Sequence, residues 1–309
     1  FLENLYPQYD DSKYFERGDG VDFYVDGARF LGDNVSCCKI IVKAFTTNLE
    51  KVGDPVGGLP DLDSSCYSPK FGFRTEYRQQ SFDPTTTVVI SIVTIDTKHN
   101  EVRVVGYSAI NMFLNKYRRD QPSSYSEQDF ILNKGNFQIP VYCEEPYRKP
   151  PFSMESFKDL ERVPSGSLLV RIKEAVKTDD GLNLLSVKDV LPNEWYTRGI
   201  VVPPPRYEDR NYNTSYCVPT NVERQIYKDR LSRPELNTRD ATNQIQNQLG
   251  YRLDLNDEQM LDWIDEKLQV NQRTPLIDMK YFAKYSPRLG FKVAVDAIHN
   301  APGNNPHSV

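Results

Sequence analysis

Chemistry in this 309-residue chain would have to come from few and scattered groups. The three histidines, His99, His299 and His307, stand apart from any nucleophile or second ligand. No Gly-x-Ser-x-Gly elbow, His-Glu-x-x-His pair, Walker loop or strand-borne Gly-x-Gly-x-x-Gly is present. The sequence therefore predicts no catalytic residue, no cofactor and no metal site, and a role in binding rather than catalysis. The five cysteines include the adjacent pair Cys37-Cys38 but no Cys-x-x-Cys, which suits reduced thiols better than a disulfide framework. Asp254 to Asp265 alternates carboxylates like a calcium loop, yet Gln259 holds the sixth position, where the tight turn needs Gly. Those acids read instead as helix N-terminal charge. Two basic groupings remain. Lys70, Arg74 and Arg78 share one strand face with Glu76 between them, and Lys116, Arg118 and Arg119 follow a later strand. Such faces receive anionic partners in some proteins and are ordinary solvated faces in most.

The bulk numbers bound the alternatives. At 39% hydrophobic and 12% aromatic residues the chain has the material for a core, which argues against wholesale disorder. A net charge of −5 opposes nucleic acid and anionic lipid at the whole-chain level. No apolar run approaches the ~18–20 residues of a membrane-spanning helix. Nineteen Tyr, fifteen Phe and twenty-one Pro against four Met favour short strands and Pro-marked loops.

Strand patterns appear at Val21–Phe30, Lys39–Phe45, Phe71–Tyr77, Thr85–Ile95, Val102–Ile110, Asn136–Tyr142 and Ser167–Lys173. The first alternates Phe23 and Val25 with Asp22, Tyr24 and Asp26, as a half-buried strand does. Residues 46–69 read as a long aperiodic loop and 143–165 as a Pro-punctuated insertion. Seven short strands at this spacing predict a mainly β, antiparallel sandwich over 21–177, preceded by an arm over 1–20. A Pro-rich linker spans 178–220, with Trp195 expected to anchor it back onto its own domain. Residues 221–275 then read as short amphipathic helices, one opened by the capping box Thr220/Glu223, one by Asn237 and closed by Gly250, one by Asn256. The closing residues 276–309 repeat the start: Gly290, Val295, Asp296 and Asn304 echo Gly20, Val25, Asp26 and Asn34. They are expected to begin the first strand of a second sandwich.

Residues 68–110 carry a more specific pattern: Pro69 with Phe71 and Phe73, then Pro84, then the apolar strand Val88 to Asp96, then Val104-Val105-Gly106. This order resembles the C2 domain family, and Gly166–Ala175 is similar to its closing strand. The resemblance covers roughly 20–177. Its calcium-binding members gather loop carboxylates at one end of the sandwich. Here Thr94 stands where the first of two alternating Asp would fall, Asp96 is retained, and Arg103 takes a later acidic position. Asp61 and Asp63 lie inside the long loop. The resemblance therefore implies a calcium-independent, degenerate C2 domain like those in large ciliary, axonemal and centriolar scaffold proteins. It implies a cytoplasmic, cytoskeletal address at a cilium or flagellum, with partners such as tubulin or axonemal proteins and no nucleic acid. The alternative reading is a peripheral membrane module that recognises phosphoinositides through Lys70, Arg74 and Arg78.

Overall fold

The run Val88–Ile95 is apolar on both alternating sets of positions, which is how a strand reads when both of its faces are covered. The computed structural model, which describes most of residues 15–115, 130–195 and 236–269, places it accordingly. The strands are β1 (Val21–Arg29), β2 (Val35–Phe45), β3 (Val56–Gly58), β4 (Lys70–Tyr77), β5 (Thr87–Asp96) and β6 (Val102–Asn111), then β7 (Phe113–Asn115), β8 (Phe130–Leu132), β9 (Gly135–Tyr142) and β10 (Arg162–Glu174). Two-residue strands β11 (Val176–Lys177) and β12 (Leu184–Leu185) pair with each other. Eight strands run antiparallel in the order β3-β2-β5-β6-β9-β10-β1-β4. β6 and β9 meet through the Tyr107–Tyr142 pair, reinforced by Ser108 Oγ donating to the Pro140 carbonyl at 2.7 Å. The sheet thus folds there into two four-stranded layers, a β-sandwich. Gly106 sits at this seam because a Cβ would lie 2.5 Å from the Tyr142 carbonyl oxygen.

Fully buried Ile40, Val42, Ile90 and Ile92 of one layer and Phe23, Val25, Val170 and Ile172 of the other form the core. All seven anticipated strands are present. The half-buried reading of β1 is corrected: all nine of its residues are buried. Its polar positions are covered by ion pairs and by the segment that follows the sandwich, as described below. The loop 46–69 is not featureless either, since it contains β3, which pairs with β2. The expected arm is packed from Phe15 onward: this ring touches Phe82 and Phe113 at centroid distances of 5.2 and 5.0 Å.

The chain divides into two compact units, Phe1–Ile277 and Asp278–Val309. The second unit, the Val222 helix and the Pro203–Pro205 stretch lie outside the described residues. Within the first unit, α1 (Thr238–Gln248) starts at Asn237, whose side chain accepts the Asp240 N–H at 2.7 Å. Helix α2 (Asp257–Lys267) starts at a reciprocal capping box between Asn256 and Gln259. The residue that spoils a calcium loop is therefore one that closes a helix cap. The two helices cover one end of the outer face of the β2-β5-β6 layer. Ile245, Met260, Trp263, Ile264 and Leu268 pack there with Cys37, Val93, Ile95 and Val104. Backbone bonds from Thr238 N to Ser64 O and from Cys66 N to Leu236 O tie the long loop to α1.

Candidate functional site

The positions read as a degenerate calcium loop, Thr94, Asp96 and Arg103, are used by the fold. β2 carries a bulge in which Ser36 and Cys37 oppose Ile95, because Val35 pairs with Asp96 and Cys38 with Thr94. A bulge leaves backbone groups unpaired, and Thr94 satisfies two of them: its hydroxyl accepts the Ser36 N–H at 3.2 Å and donates to the Cys37 carbonyl at 2.9 Å. A carboxylate there would set oxygen against oxygen at Cys37. Asp96 is buried, contacts the His99 imidazole, and lies 3.5 Å from Arg103 Nε. A guanidinium thus stands beside the retained acid. Among the described residues no group of three His, Cys, Asp or Glu is placed to hold a metal ion.

The basic strand face is internally balanced. On β4, Arg74 contacts Glu76 at 2.6 Å, and Arg78 contacts both Glu76, at 3.4 Å, and the buried Asp22. The Ser186 hydroxyl, Arg78 and Arg74 together hold the Glu76 carboxyl below its usual range. Two arginines are therefore matched by two carboxylates, and exposed Lys70 is the cation left on that face among the described residues. Lys116, Arg118 and Arg119 lie outside the described residues.

The polar positions of β1 serve a second internal purpose. A bulge at Asp26, between the Val25–Val170 and Gly27–Leu169 pairs, turns its carboxylate toward Arg171 of β10. The two form a bidentate pair with both distances at 2.6 Å, and Arg171 lies 4.1 Å above the Tyr24 ring. The Trp195 indole N–H donates to Asp26 Oδ2 at 2.6 Å, Arg29 donates to the Trp195 carbonyl, and Arg171 donates to the Val190 carbonyl. Trp195 thus anchors the post-sandwich segment onto its own domain. Sequence reading missed the partner, since nothing local links residues 26, 171 and 195.

An open concavity lies on the outer face of the β2-β5-β6 layer. On β2 the outward positions are Lys39, Ile41, Lys43 and Phe45, which alternate with buried Ile40, Val42 and Ala44. The helices cover Ile41, and Asp265 binds Lys39 at 2.7 Å. The other end is covered by the 143–165 insertion, whose 3-10 turn Met154–Phe157 and Phe152 pack on Val89 and Ala109. Phe152 stacks edge-on to Phe45 at 6.1 Å, and its N–H donates to the Thr47 carbonyl at 2.7 Å. Beside these covers is a pocket of about 400 Å³, lined by Phe45, Leu49, Val89, Tyr107, Pro146 and Phe152. Lys43, Lys51, Ser91 and Glu145 supply its polar part. None of these residues was anticipated as a site. The available signal was an outward set on β2 that is part apolar and part basic.

Burial pushes the thiols of Cys37 up to about 11, of Cys66 and Cys143 to about 12, and of Cys38 well above its ordinary value. Neutral thiols of this kind are poor nucleophiles and poor metal ligands.

No protein-family model matches the chain, and no curated protein matches it. Among solved structures, the crystal structure of S. officinalis PLC21 aligns over 56% of this chain and 18% of its own, at 11% identity and a TM-score of 0.31. The alignment thus takes in less than a fifth of that protein's length.

Proposed function

We propose that this chain is a non-catalytic, calcium-independent C2-type module whose job is to dock another protein, in a cytoskeletal, ciliary or axonemal scaffold. The observation that carries the reading is the use of Thr94, Asp96 and Arg103. The loop end through which calcium-dependent C2 domains engage their targets is committed to a bulge and an ion pair. A surface for binding then has to lie on the layers themselves, and the outer face of β2-β5-β6 offers an apolar concavity. Membrane recognition through Lys70, Arg74 and Arg78 is the weaker reading, because Glu76 and Asp22 balance the two arginines.

Two sedimentation assays separate them. The docking reading expects the protein to pellet with taxol-stabilised microtubules, or with isolated axonemes, and to stay in the supernatant with phosphoinositide-containing liposomes. Salt-sensitive liposome pelleting that is lost on charge reversal of Arg74 and Arg78 would overturn it. The calcium part is checked by melting temperature. A native-state ligand must raise it, so equal values in millimolar calcium and in chelator are expected.

A further inference from the structure

We infer that the pocket on the β2-β5-β6 face is a peptide site for one aromatic side chain carried on an acidic segment of a partner protein. The inference deepens the docking reading and rests on it. Three observations fix the occupant. The volume, about 400 Å³, lies at the small end of the ~300–1,000 Å³ found for compact ligands, so it suits one large side chain with its flanking backbone. The floor is aromatic and aliphatic, with Phe45, Tyr107 and Phe152 offering edges and faces to a further ring. The charged groups in the lining are Lys43 and Lys51 against Glu145; Lys43 and Glu145 each already have a partner within the fold, so exposed Lys51 is the cation the lining offers an occupant, on a chain whose net charge is −5. Charge complementarity then selects carboxylates beside the anchor.

The chain already demonstrates the mode on the same surface. Phe152, which follows Pro150 and Pro151 out of a bend, is seated against Phe45 and Val89, and its N–H donates to the Thr47 carbonyl. An aromatic anchor beside a Pro-marked bend is thus what this face accepts from its own chain. A partner would place a second anchor alongside it.

The test uses the full chain and a fluorescein-labelled nine-residue peptide with a central Phe between glutamates, titrated by fluorescence polarisation. Control peptides replace the Phe by Ala or the glutamates by lysines. Both controls are expected to bind at least tenfold more weakly than the parent. Lys51→Glu, an exposed position, and Ser91→Trp, which fills the pocket, are each expected to lower affinity for the parent peptide at least tenfold with unchanged melting temperature. Should Ser91→Trp melt early, Lys51→Glu and Lys43→Ala carry the test alone. The inference is overturned by no saturable binding at millimolar peptide, by equal affinity for the Ala control, or by wild-type affinity in Lys51→Glu. Peptide binding without microtubule or axoneme pelleting would refute the cytoskeletal docking reading and leave the pocket assignment standing. Pelleting that survives both pocket variants would do the reverse.

Discussion

Removing the Asp26 carboxylate should be among the most damaging single changes to this domain. Asp26 and Arg171 are 7% and 1% exposed, and their two 2.6 Å contacts make a fully desolvated pair. Deleting one partner of such a pair costs about 3–5 kcal/mol, chiefly because the other charge stays buried without its counter-ion. In Asp26→Ala the guanidinium loses its bidentate carboxylate, and the Val190 carbonyl and the Tyr24 ring that it also contacts carry no negative charge. The Trp195 indole N–H loses its acceptor at the same time. For a domain of this size that loss lowers the melting temperature by roughly 6–20 °C. It consumes a large share of the ~5–15 kcal/mol that holds a domain together. The paired change Asp26→Leu with Arg171→Met removes both charges at similar volume and should return to within about 1–2 kcal/mol of wild type. Urea unfolding of the wild type, Asp26→Leu, Arg171→Met and the double variant completes the cycle. A loss below about 1 kcal/mol in Asp26→Ala, or additive single and double effects, would refute the reasoning.

Other outcomes follow from the same geometry. Thr94→Val keeps shape but strips the bulge of its hydroxyl, leaving the Ser36 N–H and Cys37 carbonyl unsatisfied. A loss of about 1–3 kcal/mol by urea unfolding is expected, and a neutral result would remove Thr94 from the account. Trp263→Ala should cost about 3–5 kcal/mol in the unfolding of the sandwich itself, because the ring packs in one cluster with Val93 and Val104. A separate early transition, with the sandwich melting unchanged, would show the helices to be independent. In native protein at pH 8, iodoacetamide should modify at most one of the five cysteines by intact mass, and all five in urea; more than one native adduct contradicts the burial of Cys37, Cys38, Cys66 and Cys143. Those same thiols ionise more easily once unfolded, so stability should be untouched below pH 9. It should then fall as pH rises from about 9 toward the folded values of about 11 to 12, by about 1 kcal/mol per thiol at pH 10. An unchanged urea midpoint between pH 8 and pH 10 contradicts this.

Local patterns announced the strands and helices because their causes are local. The alternation of β2, the doubly apolar β5 and the caps Asn237 and Asn256 each sit within a few residues of the element they specify. Thr94 and Arg103 were legible as departures from a calcium-binding pattern, and the structure supplies what each contacts instead. The burial of β1 was not legible, because Asp22 finds Arg78 and Asp26 finds Arg171 and Trp195 across 56, 145 and 169 residues. A single sequence shows an acid at each place and no reason for it to be inside. The pocket was hidden for a related reason. Its walls come from β2, β5, β6, the 46–69 loop and the 143–165 insertion, and each contributes residues that look individually like ordinary strand or loop positions.

The helical cover on the β2-β5-β6 face also sets a schedule for synthesis. Val93, Val104 and their neighbours leave the ribosome about 160 residues ahead of Trp263, which at ~5–20 residues per second is a wait of roughly ten to thirty seconds. Throughout that interval a nascent chain lacks the helices that cover Val93, Ile95 and Val104 in the folded protein. Translation rate and chaperone supply over this window should therefore govern the yield of folded protein, and slowing the ribosome between residues 111 and 237 should favour aggregation over folding.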